Sequence, residues 1–313
     1  MTEPRWGIVA TVKAPMAEIL GFAAHHLDLG AHRLYIYLDE DAPETEQRLA
    51  AHPKIRVKRT GPDYWARRNG RPEKHQSRQF VNTRNALSRP PEVDWLAHID
   101  VDEFLWPDSD LAAKLAALPE DCLCARIRPI EALADPGGGA GKWFKALHLS
   151  RPERQAAAER VFPTWGRYLP GGFLSHVAGK LFVRTGRGLK LRIHNCELGG
   201  VQNPGERPLP GTELCHLHAG SWEDWIAAYR YRLAHGSYRA ELNPQVPQNL
   251  GGGLSHHDLF RRIEAEGGEA ALRAFYDEVC VATPERRAAL KAEGLLRHCD
   301  LDLPARIARH FPG

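Results

Sequence analysis

The sequence predicts an α/β fold built on a mostly parallel sheet, and three observations carry that prediction. Apolar runs of strand length alternate with helical patterns from Trp6 to Pro107, the signature of βαβ units. Two of those runs end in carboxylates, at Asp39 and at Asp100, which is where ligands of open parallel sheets bind. With 43% apolar and 26% charged residues among 313, the chain can bury a sizeable core and has the balance of a folded, water-exposed protein.

Each element follows from local pattern. WGIVATVKA (Trp6–Ala14) is a strand-length apolar run, and Pro15 then opens MAEILGFAAHHLDLG. There Ile19, Leu20, Ala23 and Leu27 form one helical face, with Gly30 as the stop. RLYIYLDEDAP alternates Leu34, Ile36 and Leu38 and ends in the acidic turn Asp39-Glu40-Asp41, and KIRVKR (Lys54–Arg59) gives a third strand. The basic stretch RRNGRPEKHQSR (Arg67–Arg78) reads as a loop facing an anionic ligand. A helix over QSRQFVNTRNALSR leads to the strand DWLAHIDVDEFLWP.

SDLAAKLAALP is amphipathic, with Asp108 or Ser109 as N-cap. CLCARIRPI, AGKLFVRTG, LKLRIHNCEL and GTELCHLHAG read as strands, and Ala132–Gly179 as a long irregular segment suited to a lid. Ser221 caps a helix with Glu223 and Asp224 in its first turn. Beyond Asn243–Gly253 the pattern is helical and charged, so the expected organisation is a domain over residues 1–240 and a helical extension over 241–313.

The run Trp95–Ile99 delivers Asp100, Asp102 and Glu103 at its end. A buried carboxylate costs several kcal/mol unless it is compensated. In an extended chain Asp100 and Asp102 share a face, which suggests a cation between them.

Net charge is +3, and no recurring stripe of basic and aromatic residues points to nucleic acid. No segment reaches the length of a membrane span, and the N-terminal sequence lacks a signal-peptide pattern, so a cytoplasmic protein is expected. Cys122, Cys124, Cys196, Cys215, Cys280 and Cys299 form no CxxC pair and are expected to be buried thiols rather than a zinc site.

The order TVK, HHLDLGAHRLYIYLDED, NTRNAL, WLAHIDVDEFLW, GKLFVR, IHN and HLHAGSWEDW resembles bacterial glycosyltransferases of the family-2-like group and their family-92 relatives. The resemblance runs from Ile8 to Tyr238, and its most specific element is the iDvDEFl block. The family's Lys-Asn-Glu is here Lys13-Ala14-Pro15, with Glu18 as a substitute. The resemblance implies a GT-A fold, a Rossmann-like sheet that binds a nucleotide-diphosphate sugar. It also implies inverting transfer of that sugar to a hydroxyl of a glycan, lipid-linked or protein acceptor. Mn²⁺ or Mg²⁺ would stabilise the departing diphosphate. Carried over, Asp100 and Asp102 would hold the metal, with Asp100 also reaching the ribose. His216 would be a third ligand or a diphosphate contact, and an imidazole ligand there favours Mn²⁺. Asp39 would receive the base or ribose, Arg84 and Asn85 would lie near the donor, and Lys180 and His194 beside the diphosphate.

Inverting transfer also needs a carboxylate base. Glu131, Asp135, Glu213, Glu223 and Asp224 are available, and Glu131 is preferred because it follows a strand and begins the long segment. Two other readings remain: a non-catalytic nucleotide- or glycan-binding protein, and a phosphohydrolase using an aspartate as nucleophile. Haloacid-dehalogenase-like enzymes carry such a DxD on the first strand, whereas three expected strands precede it here.

Overall fold

The apolar run WGIVATV is buried along its whole length as β1 (Trp6–Val12), the pattern of a strand covered on both faces. The computed structural model describes residues 3–312, so the outermost positions of the two expected segments, 1–2 and 313, lie outside the described residues. After β1 come α1 (Met16–Asp28), β2 (Arg33–Leu38), α2 (Pro43–Ala50), β3 (Ile55–Arg59), α3 (Pro62–Ala66), α4 (His75–Leu87) and β4 (Trp95–His98). β5 (Glu103–Pro107), α5 (Leu111–Ala116), β6 (Cys124–Ala132), β7 (Lys142–Lys145), α6 (Arg151–Val161) and β8 (Lys180–Arg184) follow. Next are β9 (Lys190–Leu191), β10 (Cys196–Leu198), β11 (Val201–Gln202) and β12 (Glu206–His216). The chain continues through α7 (Trp222–Ala234), α8 (His256–Cys280), α9 (Pro284–Ala292), β13 (Leu296–Cys299) and α10 (Leu303–His310).

The chain forms two compact units. One comprises Met1–Arg128, Ala178–Leu214 and Asp302–Gly313; the other comprises Pro129–Val177 and Cys215–Leu301. The expected division at 240 is therefore not followed. α10 belongs to the first unit because α1 offers it a groove at Gly21, where an added Cβ would lie 3.5 Å from Leu303 and 3.7 Å from Ile307. Arg306 Nη1 donates to Asp28 at 2.9 Å, and Phe311 is buried. Residues 241–301 are part of the second unit.

In the first unit the strands β3-β2-β1-β4 are all parallel, and this half has the α/β architecture the sequence predicts. β8 then pairs antiparallel with β4, and the start of β6 antiparallel with β8. β9, β10 and β11 make a small antiparallel sheet. α1 ends as expected at Gly30 (φ +94°), where Ala31 N–H donates to His26 O at 3.0 Å. The N-cap of α5 is Asp110, whose carboxylate accepts from Ala113 N–H, rather than Asp108 or Ser109.

The histidine pair of α1 fixes β5. His25 Nε2 donates to Leu105 O at 2.7 Å, and Leu105 N–H donates to His26 Nε2 at 3.3 Å. His26 Nδ1 donates to Phe22 O at 2.8 Å, which sets its tautomer. Both rings are fully buried, so α1 holds both backbone groups of one β5 residue in an apolar setting.

In the second unit β7 pairs antiparallel with the end of β6 and with β13. Trp225, Tyr229, Phe260, Phe275 and Tyr276 form an aromatic core. The segment 132–179 is not structureless: it contains β7, α6 and two 3-10 turns, with Ala157, Ala158, Val161 and Phe162 buried. Small alanines supply the inner face of α6, which is too weak an apolar pattern to announce a helix. All six cysteines are buried thiols outside any disulfide, as expected.

Burial lowers the pKa of His25 from 6.5 to about 4, against the hydrogen bond to Leu105, which acts to raise it. The unfolded chain therefore binds the extra proton between those values, and stability present above pH 6.5 is lost as pH falls towards 4. The loss for this one group is on the order of 3 kcal/mol. Urea denaturation across that range should show the slope, and His25→Gln, which keeps a donor for Leu105, should reduce it by this group's share, leaving that of the other buried histidines.

Candidate functional site

The acidic block is a turn and not the extended end of a strand. β4 stops at His98, and Glu103 N–H donates to Asp100 O at 3.0 Å, closing a four-residue turn over Asp100-Val101-Asp102-Glu103. The Glu103 carboxylate accepts from Asp100 N–H at 3.0 Å, locking the turn from the other side. The expected sharing of one face by Asp100 and Asp102 thus does not rest on strand alternation, because the chain reverses between them. Asp102 is half-buried in the turn.

A lysine compensates the carboxylates. The antiparallel register of β4 with β8, Ala97 opposite Phe182, brings Lys180 to the end of β4. Its fully buried ammonium donates to Asp100 Oδ2 at 2.5 Å and lies 3.2 Å from Glu103 Oε2. Gln79 Nε2 donates to the other Asp100 oxygen. Burial pushes the Asp100 carboxyl up, but the attraction of Lys180 outweighs it and the net shift is down. Burial likewise disfavours the Lys180 cation, and its two carboxylate partners more than reverse that. Next along β4, His98 is buried with neither ring nitrogen hydrogen-bonded among the described residues, and burial lowers its pKa to about 4.

Asp39, at the carboxyl end of β2, has a fully buried side chain held by two arginines. Arg78 Nε donates to Oδ2 at 2.7 Å, and Arg71 Nη2 lies 3.0 Å from Oδ1. Thr60 Oγ1 donates to Leu38 O at 2.9 Å beside it. A pocket of about 650 Å³ opens here, lined among others by Asp39, Thr60, Gly61, Trp65, Gly70 and Arg71. α4 links the two acidic points: Arg78 reaches Asp39, Gln79 reaches Asp100, and His75 Nδ1 is 3.9 Å from Asp39 Oδ2. β2 and β4 flank β1, so their ends are two strand spacings apart, about 10 Å.

The structure thus brings together Asp39, Asp100, Asp102 and Lys180 of the expected residues. His194 stands close by in sequence contacts, its Nδ1 donating to Gly179 O at 2.8 Å next to Lys180. Arg84 and Asn85 lie further along α4. The six residues from Gln79 to Asn85 advance a helix about 9 Å, and Asn85 Oδ1 accepts from Tyr37 OH at 2.9 Å. His216 lies in the second unit, its ring 5.1 Å from that of His218.

Glu131 also lies in the second unit and is enclosed. Its carboxylate accepts from Leu174 N–H at 3.1 Å and Ser175 N–H at 2.8 Å and sits 3.1 Å from Lys145 Nζ. Burial pushes its pKa up, yet Lys145, His218 and these donors bring it to about 2. This is an anchor for the 173–175 segment, with no oxygen turned to an acceptor, so the expectation of a base at Glu131 is not carried forward. Trp143, Trp165 and Trp222 pack on His298, Phe275 and Trp225, each with ring centroids within 5.5 Å.

The residues that sequence reasoning missed are Arg71, His75, Arg78 and Gln79. Their signal was the basic stretch 67–78, read there as facing an anion; in the structure part of it faces the chain's own Asp39.

Among the described residues no group of three or more His, Cys, Asp or Glu side chains converges as a metal cage. In the acidic turn both Asp100 oxygens already accept from Lys180 and Gln79, so a divalent cation there would rely chiefly on Asp102, within the one or two carboxylates by which Mg²⁺ is commonly held.

No protein-family profile matches the chain, and no curated protein matches it. Among solved structures, HddC from Yersinia pseudotuberculosis is similar over 44% of this chain and 67% of its own, at 11% identity and a TM-score of 0.29. The glycosyltransferase GlyE of Streptococcus pneumoniae is similar over 58% of this chain and 34% of its own, at 13% identity and a TM-score of 0.28. The mannosyltransferase Ktr4p from S. cerevisiae is similar over 42% and 40%, at 11% identity and a TM-score of 0.25. The matches span from about a third to two thirds of those proteins, and likeness of this size carries no argument about activity.

Lys180→Met keeps the stem and removes the charge, leaving two carboxylates facing each other. Breaking a buried pair costs about 3–5 kcal/mol; the Asp100 side chain is 31% exposed, which places this variant at the lower end. Urea denaturation at pH 7 should show the loss, and an unchanged midpoint would refute the role given to the ammonium.

Proposed function

We propose that this chain is a glycosyltransferase that moves a sugar from a nucleoside-diphosphate donor to an acceptor hydroxyl on a glycan, lipid-linked or protein acceptor, with inversion. The observation that carries the reading is the pocket of about 650 Å³ beside Asp39 together with the Asp100–Glu103 turn, at the ends of β2 and β4 and joined by α4. Crevices at the carboxyl ends of parallel strands are where such sheets take nucleotides. The resemblance of the iDvDEFl block points the same way.

In this reading the nucleoside enters the Asp39 pocket, whose lining includes Thr60, Gly61 and Trp65. Arg71, half-exposed on the rim, supplies positive charge to the phosphates. Lys180 keeps Asp100 ionised and holds both Asp100 and Glu103 in place, so that the turn presents Asp102 in one position. Asp102, with Asp100, would hold Mg²⁺ or Mn²⁺, and when bound that ion would stabilise charge developing on the departing diphosphate.

Thermal-shift measurements with UDP, GDP and CDP, with Mg²⁺ or Mn²⁺ and with EDTA, test the binding half. A saturating nucleotide at 100 times its Kd should stabilise by about 2.7 kcal/mol, and only with metal. Release of free sugar from the stabilising nucleotide sugar then separates an enzyme from a binding protein.

Asp102→Asn keeps the shape of the turn and removes one anionic oxygen. Its turnover in that assay should fall roughly 10²–10³-fold, the usual cost of losing one positioned electrostatic contact. Stability should stay within about 0.5 kcal/mol of the unsubstituted protein, as for a half-buried polar change. Hydrolysis or transfer at an undiminished rate would remove Asp102 from the mechanism.

A further inference from the structure

Many cations of the first unit are matched by carboxylates, and one cluster that is not surrounds a pocket. Arg33 and Arg56 pair with Glu92, Arg59 with Asp41 and Glu46, and Arg71 and Arg78 with Asp39. Lys58, Arg67 and Arg68 have no ion pair among the described residues, and all three line one pocket of about 430 Å³ with Arg59, Asp63 and Tyr64. Asp63 is the one acid in that lining and is exposed. Arg89, just beyond α4, adds its field: Lys58 is pushed below its usual pKa first by burial and then by Arg89, Arg68 and Arg67.

Two of these cations are oriented by Tyr64. The Arg68 guanidinium lies 3.7 Å from the centre of the Tyr64 ring, and its Nη1 donates to Tyr64 O at 2.8 Å. Lys58 Nζ lies 5.3 Å from the same ring. Tyr64 is itself fixed, its hydroxyl donating to Asn82 Oδ1 at 2.6 Å, and Asn82 Nδ2 donates to Thr11 on β1 at 2.9 Å. An oriented cluster of like charges around a cavity is costly until an anion enters it.

This pocket is separate from the one beside Asp39. α3 divides them: Pro62, Trp65 and Ala66 line the Asp39 pocket, while Asp63 and Tyr64 line the basic one, and only Arg59 borders both.

We propose that the basic pocket formed by Lys58, Arg67, Arg68 and Tyr64 is a binding site for a phosphate-bearing ligand, distinct from the Asp39 crevice. Guanidinium forks match phosphate oxygens, the lysine adds a point charge, and the cavity has room for a diphosphate or a phosphate ester. The site does not depend on the donor reading, because none of its unpaired cations lines the donor pocket.

Isothermal titration of the whole chain with inorganic pyrophosphate, at fixed ionic strength, tests the site. Arg67→Gln, an exposed change that cannot disturb folding, should weaken binding about tenfold or more, the equivalent of one lost charge-assisted hydrogen bond. Asp63→Asn should tighten it, a gain that no general loss of structure can imitate. Sedimentation with vesicles of equimolar phosphatidylcholine and phosphatidic acid, against phosphatidylcholine alone, decides the source. Vesicle binding lost in Arg67→Gln marks a lipid headgroup, and pyrophosphate binding without vesicle binding marks a soluble phosphate. The proposal is overturned if neither probe binds, or if binding is indifferent to both substitutions, as it would be for pyrophosphate lodged beside Asp39.

Discussion

Three carboxylates within four residues repel one another, and the turn from Asp100 to Glu103 keeps its shape because Lys180 brings a buried positive charge to the same point. The ammonium does several things at once. It ties β8 to the end of β4, draws the Glu103 side chain under the turn, and leaves the backbone of Asp100 and Glu103 free to close the reversal. Gln79 completes the hold on Asp100 from α4. Removing the charge would therefore loosen a strand end, a turn and a helix together, which is why the site is better described as one electrostatic unit than as a list of acids.

The same logic governs Asp39 on the neighbouring part of the sheet. A side chain with no exposure is tolerated there because Arg71 and Arg78 approach it from the stretch before α4 and from α4 itself. Arg78 is also held by the carbonyls of Pro72 and Glu73, so its guanidinium is shared between a carboxylate and the loop backbone. α4 thus reads the ends of two strands with residues one position apart, and it is a structural link between the pocket beside Asp39 and the acidic turn.

The fold and the site were legible in the sequence to different depths. β1, α1, β2, β3, α4 and β4 follow from apolar runs, a glycine stop and acidic strand ends, all of which are local signals. The importance of the block after Trp95 was legible too, because carboxylates behind an apolar run demand compensation. What supplied that compensation was not. Lys180 is 80 positions away, and an isolated lysine in a strand looks like a surface residue until the register of β4 and β8 is known. Strand alternation misread Asp100 and Asp102 because a hydrogen-bonded turn leaves no trace in apolar periodicity. Glu131 looked available because burial cannot be read from one residue, whereas its partners come from two separate places, Lys145 and the adjacent pair Leu174 and Ser175. α6 was hidden by its alanine face. α10 was assigned to a local extension because its groove at Gly21 is made nearly the full chain length earlier.

The distance in sequence between β4 and β8 has a consequence for how the protein is made. Until residues 180–184 leave the ribosome, β4 has β1 on one side and nothing on the other, and its apolar WLAH sequence is an open edge with unpaired backbone groups. At synthesis rates of about 5–20 residues per second, the 80 residues separating Asp100 from Lys180 take roughly 4–16 s to appear. An edge of that kind is a template for pairing with another chain. Over the same interval the acidic turn lacks its counterion, so its mutual repulsion persists beside the open strand. Charge carried next to an exposed edge is one of the means by which proteins discourage such pairing, and the carboxylates that later meet Lys180 would repel a second nascent chain until it arrives.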